Sequence, residues 1–264
     1  MNDTTFDADW LALREPADHR SRARGLGERF LAARSGAGPI VDLGAGTGSN
    51  ARFLQALTGD PLPWRLVDSD AALLSKAGTI GTGTETCLAD LVQMPDRALT
   101  GAGGLTAAAL LDLVSASWLR ALARRCAAER LPVLFALNVT GVVRFAPEHA
   151  DDAAVIAAFL RDQEKDKGFG PALGPAAPQH ARKLFAWMGF AIHCAPSDWV
   201  LSGDDDGLLR AYLQGVATAA QAAGSNDERD RIAAWLTRRV AQVESCELTV
   251  TVGHEDVLAV PAGG

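Results

Sequence analysis

The sequence predicts an α/β protein built as one sizeable domain, and three observations lead there. An apolar run, Pro39-Ile40-Val41-Asp42-Leu43, breaks into Gly44-Ala45-Gly46-Thr47-Gly48 and passes at once into a helical pattern, the form of a buried strand entering a helix through a tight loop. Further apolar runs of strand length alternate with amphipathic helical patterns downstream. With 264 residues, 48% of them apolar, the chain can bury a full core, which argues against long disordered stretches and against a second independent domain.

The elements follow in order. Asp9 to Arg34 reads as helix, with Leu11, Leu13, Leu26, Phe30 and Leu31 on apolar faces, and Pro16 divides it into two pieces. The helix after the glycine loop runs from about Asn50 to Thr58, burying Phe53, Leu54 and Leu57, and Gly59 ends it. Trp64-Arg65-Leu66-Val67 is the second strand and ends at Asp68; a helix from Asp70 to Ala77 is stopped by Gly78. Strand three is Thr84 to Ala89, followed by Asp90, and strand four is Leu105 to Leu111, followed by Asp112. Ser117 to Glu129 is an amphipathic helix whose outward arginines form a solvated face. Pro132 to Leu137, fully apolar, is the central strand five, with Asn138 at its end.

The alternation is then interrupted. Pro147 to Lys167 holds a helix, and Gly168 to Pro175 forms a loop rich in glycine and proline; a connection this long usually covers a site. Pro178 to Met188 is helix and Phe190 to Ala195 strand, with Trp199-Val200-Leu201 prolonging the apolar run past Asp198. Two helices, Gly207 to Ala222 and Asp227 to Val243, are separated by Gly224-Ser225-Asn226. Glu247 to Val252 is a strand, and Gly253-His254-Glu255 suggests a bulge or turn before Asp256 to Val260.

The glycine loop carries the first functional signal. Glycines at alternate positions remove each Cβ that would keep a ligand off the backbone, and the amides of the following helical turn face outward as donors. A dinucleotide fingerprint wants a third glycine where Ser49 stands, so a nicotinamide-dependent oxidoreductase is the weaker reading. Asp42 sits where it would repel a pyrophosphate and welcome an ammonium group, and Asp68 stands where an acid accepts from ribose hydroxyls.

These residues resemble the class I S-adenosylmethionine-dependent methyltransferases, whose first motif is apolar residues, an acid, then Gly-x-Gly-x-Gly. The resemblance is specific through Asn50, good at Asp68, and extends to Leu88-Ala89-Asp90-Leu91, where the family commonly has an acid facing adenine. It implies a doubly wound, seven-stranded, mostly parallel sheet in the order 3-2-1-4-5-7-6, a Rossmann-like methyltransferase fold with residues 1–36 as a helical cap and 147–175 as a substrate lid. S-adenosyl-L-methionine is the implied cofactor. Asp42, Gly44, Ala45, Gly46, Gly48 and Asn50 on the loop, Asp68, Ser69, Asp90 and Leu91 on the next strand ends, and Arg14 or His19 from the cap are its candidate contacts. Asp90 reads equally as the start of a short helix, and the cap arginines as a solvated face.

Transfer from a sulfonium is an in-line displacement, so catalysis is largely positioning, with a base needed for a hydroxyl or protonated nitrogen acceptor. Asp112 and Asn138 share the rim of strand ends that faces the transferring group, and His180 and His254 are further candidate bases, each also readable as structural. No Asn-Pro-Pro-Tyr type of motif follows strand four, which argues against base and glutamine acceptors and for a small-molecule acceptor, O- or N-methylated. A non-catalytic cofactor-binding or regulatory protein is the alternative.

A formal charge of −7 lacks the positive field that nucleic acid requires. No carboxylate set announces a metal. Cys87, Cys126, Cys194 and Cys246 are scattered through apolar patterns and read as reduced core residues. Met1 to Trp10 is acidic and polar, and no apolar run approaches the roughly 20 residues of a membrane helix, so a cytoplasmic protein, monomer or homodimer, is expected.

Overall fold

The computed structural model describes residues 7–262, apart from 35, 82, 94, 95, 164, 167, 223 and 224. Met1 to Phe6 of the cap, Lys167 at the end of one helix reading and Gly224 in the interhelical turn lie outside the described residues.

Two helices, α1 (Ala8–Ser21) and α2 (Arg24–Ala33), precede the sheet. Strand–helix units follow: β1 (Ile40–Leu43) with α3 (Ser49–Gln55), β2 (Trp64–Asp68) with α4 (Ala71–Ala77), β3 (Glu85–Leu88) with the short α5 (Asp96–Leu99), and β4 (Gly104–Ala108) with α6 (Ala116–Glu129). After the long β5 (Val133–Ala146) come α7 (Asp152–Gln163), α8 (Ala177–Trp187), β6 (Phe190–Pro196), β7 (Trp199–Leu201), α9 (Asp206–Gln221), α10 (Asn226–Glu244) and β8 (Thr249–Pro261). The sheet order is β3-β2-β1-β4-β5-β8-β6, with β7 pairing to β8 as well. β1 to β5 pair in parallel, and β8 is antiparallel to β5, β6 and β7.

The expected order therefore holds, with one strand more than expected. Trp199–Leu201 is not a continuation of the preceding run, because the chain bends at Ser197 and Asp198, which take the backbone of His254 between them: Ser197 N–H donates to its carbonyl at 2.9 Å and Asp198 Oδ1 accepts its N–H at 2.8 Å. Beyond the bend Trp199 pairs with Val252. The suspected interruption at Gly253–Glu255 is absent from β8, which runs unbroken. The irregularity lies on its partner: β5 inserts extra residues between Phe135 and Asn138 and between Val139 and Val143. A Cβ at Gly253 would overlap Thr140 Oγ1, so glycine is what lets this bulge lie close. β5 thus continues to Ala146 instead of ending at Leu137, because β8 supplies a pairing partner for the whole length.

Pro16 does not divide the first helix. It sits on the exposed face, and α1 runs through it to Ser21. The break falls at Arg22 and Ala23, where extended backbone lets the Arg22 side chain turn into the core. Strand four is shorter than expected: it ends at Ala108, and Ala109 has φ 49°, a conformation unfavourable for a residue with a Cβ.

One face of the sheet is covered by α6 and α8, with Leu105, Phe135, Leu119, Leu122 and Phe185 in contact. The other face buries Phe30, Phe53, Leu54, Trp64 and Leu66 beneath α2 and α3. A third cluster joins α7, α9 and α10 to β7 and to the first half of β8 through Val155, Leu213, Trp235 and Val250. The four cysteines are free; only Cys126 is fully buried, and Cys194 and Cys246 are exposed, which corrects the reading of all four as core. Cys194 faces outward from the edge strand β6.

The segment from 147 to 175 is fastened at both ends. The fully buried Arg239 of α10 donates to Asp152 at the start of α7 and to the Pro147 carbonyl at 2.8 Å. At the other end Leu173 and Gly174 donate their N–H groups to the carbonyls of Val114 and Asp112, at 2.9 and 3.0 Å, so the loop lies against the exit of β4.

Candidate functional site

The C-terminal ends of β1, β2, β3 and β4 lie at one edge of the sheet, because Leu43 is in register with Val67 and Ala107, and Asp68 with Leu88. Over that edge the loop turns through Gly44, Gly46 and Gly48, whose φ angles of 65°, 52° and 82° favour glycine. Close packing adds a second reason at Gly48, where a Cβ would stand 2.8 Å from Ile80 Cδ1. Asp68 ties the loop to β2: one oxygen accepts the Gly46 N–H at 2.8 Å and the other the Asp70 N–H at 3.0 Å. Each oxygen retains lone-pair capacity for a further donor, and the side chain is only half-buried.

Beside Asp68 the strand ends present an open surface. Ser69 and Asp90 are exposed, and Asp90 Oδ1 accepts the Val92 N–H at 2.9 Å in a local turn rather than starting the short helix α5, which begins at Asp96. On either side of Asp90, Leu88 is 53% and Val92 45% exposed, an apolar flank next to an acid. Leu91 is buried and its carbonyl accepts the Trp118 indole N–H at 2.6 Å. Ala45 is buried at the turn of the loop, its N–H on the Val67 carbonyl at 3.1 Å.

The cap helix α1 lies across the loop. Leu11 Cδ1 would stand 3.1 Å from a Cβ at Gly46, Glu15 pairs with Arg52 of α3, and His19 Nε2 meets Ser49 O and Oγ at 3.0 and 3.1 Å. Next to it is a cavity of about 370 Å³ lined by α1, the β4 exit, β5, α7, α9 and β8. Asp112, Arg14 and His254 are among its lining residues, with Leu113, Leu137, Val139, Phe159 and Trp199 supplying apolar wall. Among the described residues no group of three or more His, Cys, Asp or Glu side chains could hold a metal ion.

No family model matches the sequence, and no curated protein does. Among solved structures, the chain is similar to a cyclopropane-fatty-acyl-phospholipid synthase-like protein from Lactobacillus casei, at 14% identity over 94% of this chain and 92% of that chain, with a TM-score of 0.55. It is also similar to a candidate type II methyltransferase from Anaeromyxobacter dehalogenans, at 16% identity over 91% and 97% of the two chains, with a TM-score of 0.53. The chain has the class I methyltransferase fold.

Within that fold several expected site residues stand elsewhere than expected. Asp42 is 0% exposed, beneath the glycine loop instead of at the crevice. Its Oδ1 accepts the Asn50 amide at 2.7 Å, and that amide also lies 3.1 Å from Thr106 Oγ1, so Asn50 braces the loop from below and is not a surface contact either. Asn50 in turn accepts from Arg22 Nη1 at 2.7 Å, and Arg22 Nε donates to Asp256 at 3.1 Å. Sequence reasoning missed this buried polar spine: Asp256 follows His254 and Glu255 directly and stands at the head of the apolar run Val257 to Val260, so its place in the chain does not distinguish it from a turn residue. Asn138, expected on the rim, is 1% exposed and holds the β5 bulge by donating to the Phe135 and Glu255 carbonyls at 3.0 and 2.7 Å. His180 stands near the start of α8 and does not line the cavity, whereas His254 does. Arg14 lines the cavity, but its fork is taken by Asp18 at 2.9 and 3.2 Å.

Two buried groups in the methyltransferase fold titrate in opposition. Desolvation pushes the Asp42 carboxyl up to about 7 despite the Asn50 bond and the Arg22 charge. Burial, with Arg14 nearby, pushes His254 down to about 4. A raised acid favours the fold at low pH, and that stability is lost as pH rises from near 3.8 through about 7. A depressed histidine favours the fold at high pH, and that stability is lost as pH falls from 6.5 through about 4. Each is worth at most about 3–4 kcal/mol, and between those limits they offset. Relative to the parent protein, His254→Phe should lose stability as pH rises from 4 to 7 and Asp42→Asn as pH falls from 7 to 4, read as melting temperatures across that range; profiles that keep the parent's shape would refute this assignment of the two groups.

Proposed function

We propose that this chain is an S-adenosylmethionine-dependent methyltransferase acting on a small molecule held in the cavity beside the glycine loop, with residues 1–36 as a cap and 147–175 as the substrate lid of a single domain. The observation that carries the reading is the adjacency of two spaces: a glycine loop clamped by an acid that still has acceptor capacity, and a separate, mainly apolar cavity at the β4 and β5 ends.

The residues present fit the cofactor. Asp68 would accept from the ribose hydroxyls, and the exposed Leu88 and Val92 beside Asp90 offer an apolar bed and an acceptor for adenine and its amine. Bound S-adenosylmethionine supplies a methyl group on a cationic sulfur. The chain contributes position and exclusion of water, through the cap over the loop and the 147–175 segment against the β4 exit. Asp112 and His254 are the cavity's candidate proton acceptors for an O–H or N–H acceptor.

Incubation with methyl-labelled S-adenosylmethionine and a panel of apolar hydroxyl and amine compounds should yield labelled product and S-adenosylhomocysteine. Tight cofactor binding with no turnover across the panel would favour a non-catalytic binding protein.

A further inference from the structure

The cavity holds more polar chemistry than its walls use. Three lining side chains, His254, Tyr212 and Gln163, each leave a buried atom (Nδ1, Oη and Oε1 respectively) without a hydrogen-bond partner among the described residues. Unmet polar atoms are costly inside a fold, so three around one cavity point to a partner that arrives with a ligand. His254 and Tyr212 are both at least nine-tenths buried and both pack against Trp199, with ring centroids 5.2 and 6.3 Å from it. They therefore flank one aromatic wall.

Charge narrows the ligand. Arg14, the cation at this cavity, is committed to Asp18 by two bonds and lies over the Trp199 ring at 5.1 Å, so a carboxylate or phosphate entering here finds no uncommitted cation among the lining side chains. These three atoms belong to uncharged groups, a phenol, an amide, and an imidazole that burial and Arg14 keep neutral at physiological pH, and the lining also carries the Asp112 carboxylate. In the tautomer protonated at Nε2 the His254 Nδ1 accepts, as the Gln163 amide oxygen does, and a phenol both donates and accepts, which is the complement of a hydroxyl. The remaining wall is apolar, as for a ligand whose body is hydrocarbon.

Resting on the methyltransferase reading, we propose that the methyl acceptor is an uncharged, mainly apolar alcohol or phenol, oriented by hydrogen bonds to His254 and Tyr212.

Naphthol, naphthoate, naphthylmethylammonium and naphthalene share one ring system and differ in the group these side chains would read. Each is titrated calorimetrically into the full chain, alone and with saturating S-adenosylhomocysteine. Naphthol should bind about tenfold tighter than the other three, the equivalent of one net hydrogen bond. His254→Phe and the nearly isosteric Tyr212→Phe should each bring the naphthol-to-naphthalene ratio toward one. The inference is overturned by tighter binding of the ammonium, which Asp112 would explain, or of naphthoate. It is overturned equally by no binding of any probe, or by a ratio unmoved in both variants, as expected if water alone meets these atoms. Absence of heat with S-adenosylhomocysteine is read separately: it removes the proposed function and leaves the naphthol preference measurable on the protein alone.

Discussion

Arg22→Met is expected to lower unfolding stability by about 3–5 kcal/mol, the usual cost of stranding one partner of a buried ion pair, and to move the urea midpoint down by about 1 M or more. The Arg22 side chain is 2% exposed and the Asp256 side chain 1%, and the guanidinium also stacks on Phe53 at 4.4 Å. Without it, Asp256 would keep the N–H groups of Leu137 and Ala23, at 2.8 and 3.2 Å, but lose its cation, and Asn50 would lose the donor that orients it toward Asp42. Because Asn50 supports the glycine loop, the damage should spread to the site. Asp256→Asn removes the stranded charge and keeps one acceptor oxygen, for the Leu137 N–H, at the expense of the longer bond from the Ala23 N–H, so Arg22→Met with Asp256→Asn should cost less than the sum of the two single changes by about 1–2 kcal/mol. A loss under about 1 kcal/mol for Arg22→Met would mean that the spine contributes little.

Asp68→Ala should weaken S-adenosylhomocysteine binding at least about a hundredfold, since two charge-assisted hydrogen bonds to ribose are together worth about 3–6 kcal/mol. The same change removes the clamp on the Gly46 and Asp70 N–H groups, so the loop itself loosens. Asp68→Asn is the milder change: one oxygen remains to accept one of the two clamp N–H groups while the charge is gone, and the loss should be nearer tenfold. Melting temperature read beside affinity distinguishes a failed clamp, which lowers both, from a failed ribose contact, which lowers affinity alone. Unchanged affinity in both variants would remove Asp68 from the site.

The glycine loop and its flanking strands were legible because their signals are local: an apolar run, alternating glycines and an acid at the end of the next strand lie within thirty residues. The alternation of runs carries the α/β class, whereas the sheet order came only with the resemblance that the glycine loop and Asp68 carry. What escaped depends on partners far along the chain. Between Val139 and Ala146 the strand-favouring Val139, Thr140, Val142, Val143 and Phe145 are interrupted by Gly141 and Arg144, and β8, more than a hundred residues later, supplies the pairing that makes the segment a strand. Pro16 looked like a boundary, but the true break is drawn by Arg22 reaching Asp256, 234 residues away. Asp42 stood out, yet whether it faces a ligand or the core is decided by Asn50, Thr106 and Arg22. His180 and His254 looked alike in sequence, each a lone histidine near an element boundary, and only packing puts one of them in the cavity. Tyr212 carried an unused signal: it is the one tyrosine in the chain.

Calorimetric titration of the unmodified protein with S-adenosylhomocysteine, against NADH as control, tests most directly whether the crevice at the β1 and β2 ends seats a sulfur-linked adenosine. One-to-one binding of the first with no heat from the second is the expected result. Heat from NADH and none from S-adenosylhomocysteine would contradict it.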